Sequence, residues 1–317
     1  MSALDLADLR DAQAGLAGVA TRTPLIPLDG FPGILHPVRL KAEFQQPIGA
    51  FKIRGAWTAI RRLPEATRAR GVVTSSSGNH GLGVAFAAHR LGIRAVVVTP
   101  ESVSQVKAEG IERLGAELLR VGKRRGPEQT AAAMRVAEEE GLALIPPYDH
   151  ADVIAGQATC GLEILEDWPD VTMIVVPVGG GGLLAGICSA VRALRPDVRV
   201  VAVEPSGIPK LSAAFIADKP VMLGDEGTSL ADGLLTRTVG DLNWPVIRDT
   251  VTEVVAATDA EITAALRWLG QRSIRVEPSG AVSTAALLAG KVHPTGPVVL
   301  VSSGGNVDPA RYAELMA

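Results

Sequence analysis

The chain has 317 residues, of which 47% are apolar, and a formal net charge of −3, so it can bury a large core, which we expect to form two lobes. Acidic and basic residues are interspersed and form no basic stripe, which disfavours nucleic acids and anionic membranes as partners and favours small molecules. The longest apolar stretch, 174–188, contains Pro177 and four consecutive glycines, and these argue against a membrane-spanning helix.

The amino terminus lacks the pattern of a signal peptide. The two cysteines of the chain, Cys160 and Cys188, stand in separate predicted helices without the spacing of metal ligands, so neither a disulfide framework nor a zinc site is predicted. We therefore expect a cytoplasmic protein.

Short β-branched runs alternate with longer segments rich in alanine and leucine, which predicts an α/β fold with parallel sheets and right-handed crossovers. In the first half of the chain, helices are predicted at 3–19, from about Phe51, at 81–92, 103–115 and 128–141, and strands at 38–44, 72–76, 94–100, 116–121 and 142–147. In the second half, helices are predicted at 153–167, 182–195, 259–272 and 279–289, strands at 173–178, 198–204 and 297–302, and an irregular segment at 221–245.

The repeated strand and helix units at 71–148 predict a small mobile domain, and residues 1–70 and 149–317 then form a larger one. The sequence has no linker-like tract between them. We therefore expect the two lobes to pack together, with a cleft where their strand ends meet.

Lys52 stands at the start of a predicted amphipathic helix, next to apolar residues and close to two glycines, whereas most lysines at helix starts are solvated. Three loops rich in glycine and serine each follow an apolar run: SSSGNHG (75–81), PVGGGGLLAG (177–186) and VSSGGNVD (301–308). A lysine amine forms an imine with a carbonyl group, and N–H groups at helix starts bind phosphate. The combination points to pyridoxal phosphate (PLP).

The glycine run of the second loop has a rival interpretation. Gly180, Gly182 and Ala185 satisfy the dinucleotide-binding pattern G-x-G-x-x-A, and Glu204 stands about where the acid that binds a ribose is expected. Four successive glycines form a wider nest of N–H groups, which suits a single phosphate. On this loop alone both interpretations stay open.

The other two loops also have ordinary explanations. In SSSGNHG, hydroxyl, amide and N–H groups converge at a helix start and suit a carboxylate, although Ser77 or Asn79 alone is explained by helix capping and His80 alone is more often structural. Ser303 stands at a strand end, where its hydroxyl could meet a ring nitrogen. That loop alone favours a simple turn with Asn306 in the left-handed conformation.

Taken together, these motifs resemble those of the serine racemase and threonine/serine dehydratase group of fold-type-II PLP enzymes, over nearly the whole chain. The motifs, in the order found in that family, are KAEFQQPIGAFKIRGA (41–56), SSSGNHG, VIAGQAT (153–159), PVGGGGLLAGI, EPSGA (277–281) and SSGGNVD. The resemblance implies a two-lobed fold like that of the tryptophan synthase β subunit, in which the larger domain binds PLP, and a homodimer.

The resemblance also implies roles for individual residues. Lys52 would bind the cofactor as an imine and then act as the base, and Ser77 on the opposite face would be a second catalytic residue. The other cofactor-binding residues would be Phe51, Asn79 at the phenolic oxygen, Gly179, Gly180, Gly181, Gly182 and Leu183 at the phosphate, Glu277, and Ser303 at the ring nitrogen. Ser76, Ser77, Asn79 and His80 would surround the substrate carboxylate, and Asp232 and Gly233 would lie on the substrate side.

The predicted reaction is α,β-elimination from a β-hydroxy amino acid such as L-threonine or L-serine, which yields a 2-oxo acid and ammonia. A neutral serine at the ring nitrogen favours early loss of the β-substituent. If Ser77 returns the proton to Cα, racemisation follows, so a serine or an aspartate/hydroxyaspartate racemase-dehydratase is the alternative. A dinucleotide-dependent oxidoreductase is the competing class.

One departure from the family concerns metal binding. Metal-activated members of the group bind a divalent cation with an acidic side chain at the position where EPSGIPK has Lys210. A charged lysine cannot ligate magnesium or calcium, and its ammonium could neutralise Glu204 directly. We therefore expect no requirement for a divalent metal.

Overall fold

The computed structural model describes residues 4–76, 78–103, 105–123, 126–224 and 227–317. The strands are β1 (Leu25–Leu28), β2 (Val38–Ala42), β3 (Val72–Ser75), β4 (Ala95–Thr99), β5 (Glu117–Arg120), β6 (Ala143–Leu144), β7 (Met173–Pro177), β8 (Arg199–Pro205), β9 (Val251–Ala257) and β10 (Val298–Ser302). The helices are α1 (Leu6–Gly15), α2 (Lys52–Arg61), α3 (Glu65–Arg68), α4 (Asn79–Leu91), α5 (Gln105–Arg113), α6 (Pro127–Glu140), α7 (Ala151–Asp167), α8 (Gly182–Leu194), α9 (Lys210–Ala217), α10 (Trp244–Thr250), α11 (Asp259–Gly270), α12 (Pro278–Leu288) and α13 (Pro309–Met316).

The strands form two sheets. The larger sheet has the order β1-β2-β10-β7-β8-β9, in which β1 is antiparallel to β2 and the other neighbours are parallel. The smaller sheet has the order β5-β4-β3-β6 and is parallel throughout. The α/β fold class with sheets rich in parallel pairs is therefore confirmed.

Both sheets are covered on two faces by apolar clusters. Because alternate residues of a strand point in opposite directions, each strand contributes side chains to both faces. In β7, Ile174 and Val176 face a core that includes helices α7 and α8, whereas Met173 and Val175 face a core that includes α11 and α12. Two further apolar clusters cover the two faces of the smaller sheet. Among the described residues, no helix is long and apolar enough to cross a membrane.

Most predicted elements are present, with shifts of a few residues at their ends. The sequence analysis missed β1, β9, α3, α9, α10 and α13, and its irregular segment 221–245 contains a 3-10 turn at Asp232–Leu234 and the start of α10. Strand β9 lies at the edge of its sheet and is only partly buried, so its apolar pattern is weak. All strands of the smaller sheet lie within 72–144, but the division into two domains and the mobility of the smaller one stay predictions.

Helix α7 packs between α2 and α8 through small residues, and this packing brings the pocket-lining ends of α2 and α8 close together. A Cβ atom added to Gly156 of α7 would lie within 3.0 Å of the main-chain carbonyl of Arg54 in α2. On the side that faces α8, a Cβ atom on Gly186 would lie within 3.0 Å of the main chain of α7. Glycine at these positions therefore sets the distance between the three helices.

We expect the substitution Gly156→Ala to destabilise the protein by about 1–3 kcal/mol, because the added methyl group overpacks a contact with main-chain atoms that cannot rotate away. Urea unfolding followed by circular dichroism measures this loss. Gly224→Ala is the matched control, since a Cβ atom there would meet no atom within 4 Å. Equal unfolding midpoints for the two variants would contradict the packing argument.

Candidate active site

One pocket lies between the two sheets, at the ends of strands β3, β7 and β10. Because the carboxyl ends of parallel strands are where loops and helix starts converge, this is the expected place for a ligand. The predicted site residues that line it are Phe51, Lys52, Ser76, Asn79, His80, Gly179, Gly180, Gly181, Gly182, Leu183, Asp232, Gly233, Glu277 and Ser303. Ser77, the remaining predicted residue, lies outside the residues that the structure describes.

Lys52 is the first residue of α2, and its side chain is half-buried in the pocket. Its ammonium donates a hydrogen bond to the carbonyl of Pro147 and lies 5.2 Å from the centre of the Phe51 ring. The N–H of Phe51 donates to the carbonyl of Ser303, 3.1 Å away, which joins the start of α2 to the end of β10. A primary amine is thereby directed into a pocket bounded by both sheets.

A buried group of charges fixes α2 two residues beyond Lys52. The guanidinium of Arg54 donates to Glu43 at 2.8 Å and to Glu163 at 2.7 Å, and Lys41 donates to Glu163 at 2.6 Å. Burial raises the pKa of Glu43, but the charge of Arg54 and its hydrogen bonds outweigh burial and hold that pKa below its ordinary value. Glu43 therefore stays ionised beside Arg54, and the four side chains hold one another in place.

The glycine loop Gly179–Gly182 connects β7 to α8. Gly181 has φ +95°, and a Cβ atom on Gly180 or Gly182 would crowd Tyr148, so side chains are excluded from this face of the loop. Helix α8 begins at Gly182 and has 13 residues, so its first N–H groups and the positive end of its dipole face the pocket. This arrangement fits a phosphate group.

The competing dinucleotide interpretation fails at Glu204. The carboxylate lies at the end of β8 but is fully buried, and it accepts hydrogen bonds from the N–H groups of Leu211 and Ser212 and from the Ser212 hydroxyl, at 2.6–2.9 Å. It caps helix α9 and is not available to a ribose.

The first turn of α4 carries Asn79 and His80. His80 Nε2 lies 3.0 Å from the carbonyl of Ile145, so Nε2 bears the proton, and Nδ1 has no partner within the described part of the chain. Burial and the charge of Lys52 lower the pKa of His80 to about 3, so the ring is neutral at physiological pH. An unprotonated Nδ1 cannot donate to a carboxylate, so the His80 ring supplies no hydrogen-bond donor for a substrate carboxylate.

Asn79 is held by two side chains from distant parts of the sequence. Its amide N–H donates to Glu277 at 2.8 Å, and its amide oxygen accepts from Asn306 at 2.8 Å. Asn306 also donates to the carbonyl of Ile48 at 2.8 Å, next to Gly49, where a Cβ atom would collide with the Asn306 side chain. The orientation of the Asn79 amide is therefore fixed on both sides.

The expectation of a left-handed turn at Asn306 is wrong. Among the described residues other than glycine, only Asp218 and Ser273 have positive φ. Asn306 is instead a positioning residue that the sequence analysis missed. The sequence offered one signal, namely Gly49 before Lys52 together with Asn306 in the last loop. This signal can be interpreted only when the two loops are known to be in contact.

Glu277 and Asp232 place two acidic side chains beside the pocket. Glu277 is 3% exposed, and burial together with the negative charge of Asp232 raises its pKa to about 8, although Lys107 and Asn79 act in the opposite direction. Asp232 is paired with Lys107 of α5 at 2.8 Å, so this ion pair joins a helix beside the smaller sheet to the 3-10 turn. Ser303, also 3% exposed, presents a neutral hydroxyl that donates to the carbonyl of Ser279 at 3.3 Å.

Lys210 does not pair directly with Glu204, contrary to the expectation from the sequence. Within the described residues its ammonium donates to the carbonyls of Val178 at 2.7 Å and Leu234 at 3.0 Å. Burial lowers the pKa of Lys210 to about 8, and the more distant charge of Glu204 opposes that fall. Glu204 therefore acts on Lys210 only through its field, because its oxygens are taken by the start of α9.

The raised pKa of Glu277 predicts a pH-dependent stability of the cofactor-free protein. The folded state keeps this proton up to about pH 8, whereas the unfolded chain releases it near its ordinary value of 4.5. Between these values the folded state binds more protons, so the contribution of Glu277 to stability is present at low pH and is lost as the pH rises.

We therefore expect the unfolding free energy of the wild type, relative to Glu277→Gln, to fall between about pH 5 and about pH 8. Glutamine keeps an oxygen that can accept from Asn79 and does not titrate. Urea unfolding of both cofactor-free proteins at the two pH values measures the difference. A difference that stays constant or grows with pH would show that Glu277 is ionised in the folded protein.

Comparison with known proteins agrees with this geometry. A family model described as pyridoxal-phosphate dependent enzyme matches residues 16–304. The chain is 39% identical to an L-threonine ammonia-lyase of Thermotoga maritima over 96% of this chain and 76% of that protein. It is 36% identical to a serine racemase of Oryza sativa subsp. indica over 96% of this chain and 92% of that one.

The solved structure of maize serine racemase superposes with a TM-score of 0.93 at 35% identity and covers 99% of this chain and 97% of that one. The resemblance that the motifs indicated is thus confirmed. The chain belongs to the family of pyridoxal-phosphate-dependent enzymes of fold type II.

Proposed function

We propose that this protein is an ammonia-lyase that converts a β-hydroxy amino acid such as L-threonine or L-serine to a 2-oxo acid and ammonia. The observation that carries the proposal is that the amine of Lys52, the glycine loop and the buried hydroxyl of Ser303 line a single pocket. The 39% sequence identity to an L-threonine ammonia-lyase, over 96% of this chain, supports the same reaction. The homodimer and the cytoplasmic location stay predictions from the sequence and the family resemblance.

The pocket residues fit PLP. The N–H groups at the start of α8 suit its phosphate. Side chains on the glycine loop would collide with Tyr148, so the loop offers main-chain donors only. Lys52 supplies the amine that binds its aldehyde. When bound, PLP withdraws electrons from the attached amino acid and so acidifies the Cα–H bond.

Lys52 would remove the Cα proton. The Lys52 amine is tethered to the first turn of α2, which is held by Ser303 and by the buried charges around Arg54. This tether keeps the base within reach of the proton instead of letting it diffuse. The same amine donates a hydrogen bond to the carbonyl of Pro147.

A neutral partner at the ring nitrogen favours elimination. The Ser303 hydroxyl bears no negative charge, so it would not keep the ring nitrogen protonated as a carboxylate would, and an unprotonated ring would take up less electron density. Electron density that arises at Cα would then be discharged more readily by loss of the β-hydroxyl, which takes up a proton and leaves as water, than by return of a proton to Cα. A neutral hydroxyl at this position therefore favours an ammonia-lyase over a racemase.

The charges at the mouth of the pocket favour substrates with neutral side chains. Lys107, which lines the pocket, is already paired with Asp232. A substrate with a β-carboxylate would meet the Asp232 carboxylate, and the cation beside that carboxylate is already engaged. Threonine and serine carry no such charge.

Racemisation is the second candidate, because the chain is also similar to serine racemases over nearly its full length. Reprotonation from the face opposite Lys52 needs a further donor. The sequence analysis assigned that role to Ser77, which lies outside the described residues, so the structure adds no argument for it.

Covalent capture tests the role of Lys52. Borohydride reduction of the PLP-loaded wild type should attach the cofactor to the peptide that contains Lys52, and Lys52→Ala should lower 2-oxo acid formation by at least ~10²-fold, because it removes the base. Lys291→Ala is a control, since that lysine contacts Ala256 and Glu261 outside the pocket. Label on another lysine would overturn the assignment.

A substrate panel tests the reaction and its specificity. We expect 2-oxo acid from L-threonine and L-serine without any added nucleophile, slower turnover of 3-hydroxyaspartate, and little D-enantiomer. In Asp232→Asn, the ratio of kcat/KM for 3-hydroxyaspartate to that for serine should rise on the order of tenfold, because one repulsive charge is lost and Lys107 is released. Dominant formation of D-serine, or preference of the wild type for 3-hydroxyaspartate, would count against the proposal.

A further inference from the structure

Lys210 is a buried charge that the proposed reaction does not use. It is among the three largest fully buried side chains, together with Arg54 and Lys41. Arg54 and Lys41 are paired with carboxylates, whereas the ammonium of Lys210 donates to two main-chain carbonyls. Burying a cation against neutral acceptors costs stability, so stability alone does not explain this lysine.

The two carbonyls belong to the two walls of the active site. Val178 is the residue directly before Gly179, where the glycine loop begins, and Leu234 closes the 3-10 turn that carries Asp232 and Gly233. The loop and the turn also touch, because a Cβ atom on Gly179 would lie 3.2 Å from the carbonyl oxygen of Gly233. The ammonium therefore connects two segments that approach each other through Gly179 and Gly233.

The position of Lys210 is itself fixed. It is the first residue of α9, and Glu204 caps that helix by accepting from the N–H groups of Leu211 and Ser212. The Glu204 carboxylate is thus satisfied without Lys210, so removal of the ammonium leaves no carboxylate without hydrogen bonds. A neutral side chain of similar length should be tolerated by the fold.

We propose that Lys210 is a positioning residue that holds the phosphate-binding glycine loop and the 232–234 turn in register, so that cofactor affinity and substrate affinity both depend on one buried ammonium. In other proteins a bound inorganic cation attracts main-chain carbonyl oxygens. Here the ammonium of a lysine side chain provides the same attraction. The proposal rests on membership of the PLP family and not on which amino acid reacts.

The test measures the binding of PLP to the cofactor-free protein. Binding is monitored by visible absorbance, and no amino acid is present. We expect Lys210→Met to raise the PLP dissociation constant by about tenfold or more, the effect of losing charge-assisted hydrogen bonds. We also expect a higher KM in the PLP-saturated variant, with a smaller change in kcat. Lys291→Met is the matched control, because it too loses a carbonyl contact, at 2.9 Å, but outside the pocket.

Chemical rescue separates positioning from a purely structural role. In Lys210→Ala, trimethylammonium supplies a positive charge and an N–H donor, cannot form an imine with PLP, and should restore part of the PLP affinity. Tetramethylammonium has the same charge but no N–H donor and should not restore it.

A folded Lys210→Met protein with a wild-type PLP dissociation constant and KM would overturn the proposal, and so would equal effects in Lys210→Met and Lys291→Met. If Lys210→Met does not fold, Lys210→Gln takes its place, because its amide can still donate to a carbonyl. Unchanged PLP affinity and KM in Lys210→Gln, with no rescue of Lys210→Ala, would likewise reject the proposal. Because PLP binding is measured without turnover, a wrong substrate assignment does not affect this result.

Discussion

The buried ion pairs of Arg54 are the constraint on which the rest of the site depends. Arg54, Glu43 and Glu163 lie out of contact with water, and such charges are tolerated only while each one keeps its partners. Together with Lys41, they bind α2 to the end of β2 and to α7. Because Lys52 is two residues from Arg54 in the same helical turn, the direction of its amine follows from this arrangement.

Helix α7 transmits that constraint to the other side of the pocket. It carries Glu163, which binds Arg54, and Gly156, which lets α2 approach within the distance of main-chain contact. On its opposite side it packs closely against α8 near Gly186, and α8 begins at the glycine loop. One helix thus sets the separation between the Lys52 amine, which we propose binds the cofactor aldehyde, and the N–H groups at the start of α8, which suit its phosphate. A shift of α7 would disturb both at once.

The sequence indicated the loops of the site well and the contacts between them poorly. Lys52 and the glycine loop are recognisable because local chemistry, a helix start after an apolar run, marks them. The role of Asn306 depends on a contact with Asn79, 227 residues away, and a sequence pattern carries no such distance. The same holds for Lys210, whose partners are main-chain carbonyls and leave no trace in residue type.

The electrostatics of the pocket follow from burial more than from composition. Burial and neighbouring charges keep His80 neutral and favour the protonated form of Glu277 near neutral pH, and Ser303 has no charge to lose. Among the described lining residues, charge is then concentrated on Lys52 and on the Lys107–Asp232 pair at the mouth. An interior with few fixed charges does little to hold negative charge on the substrate, so that charge is better discharged by loss of the β-hydroxyl, which takes up a proton and leaves as water.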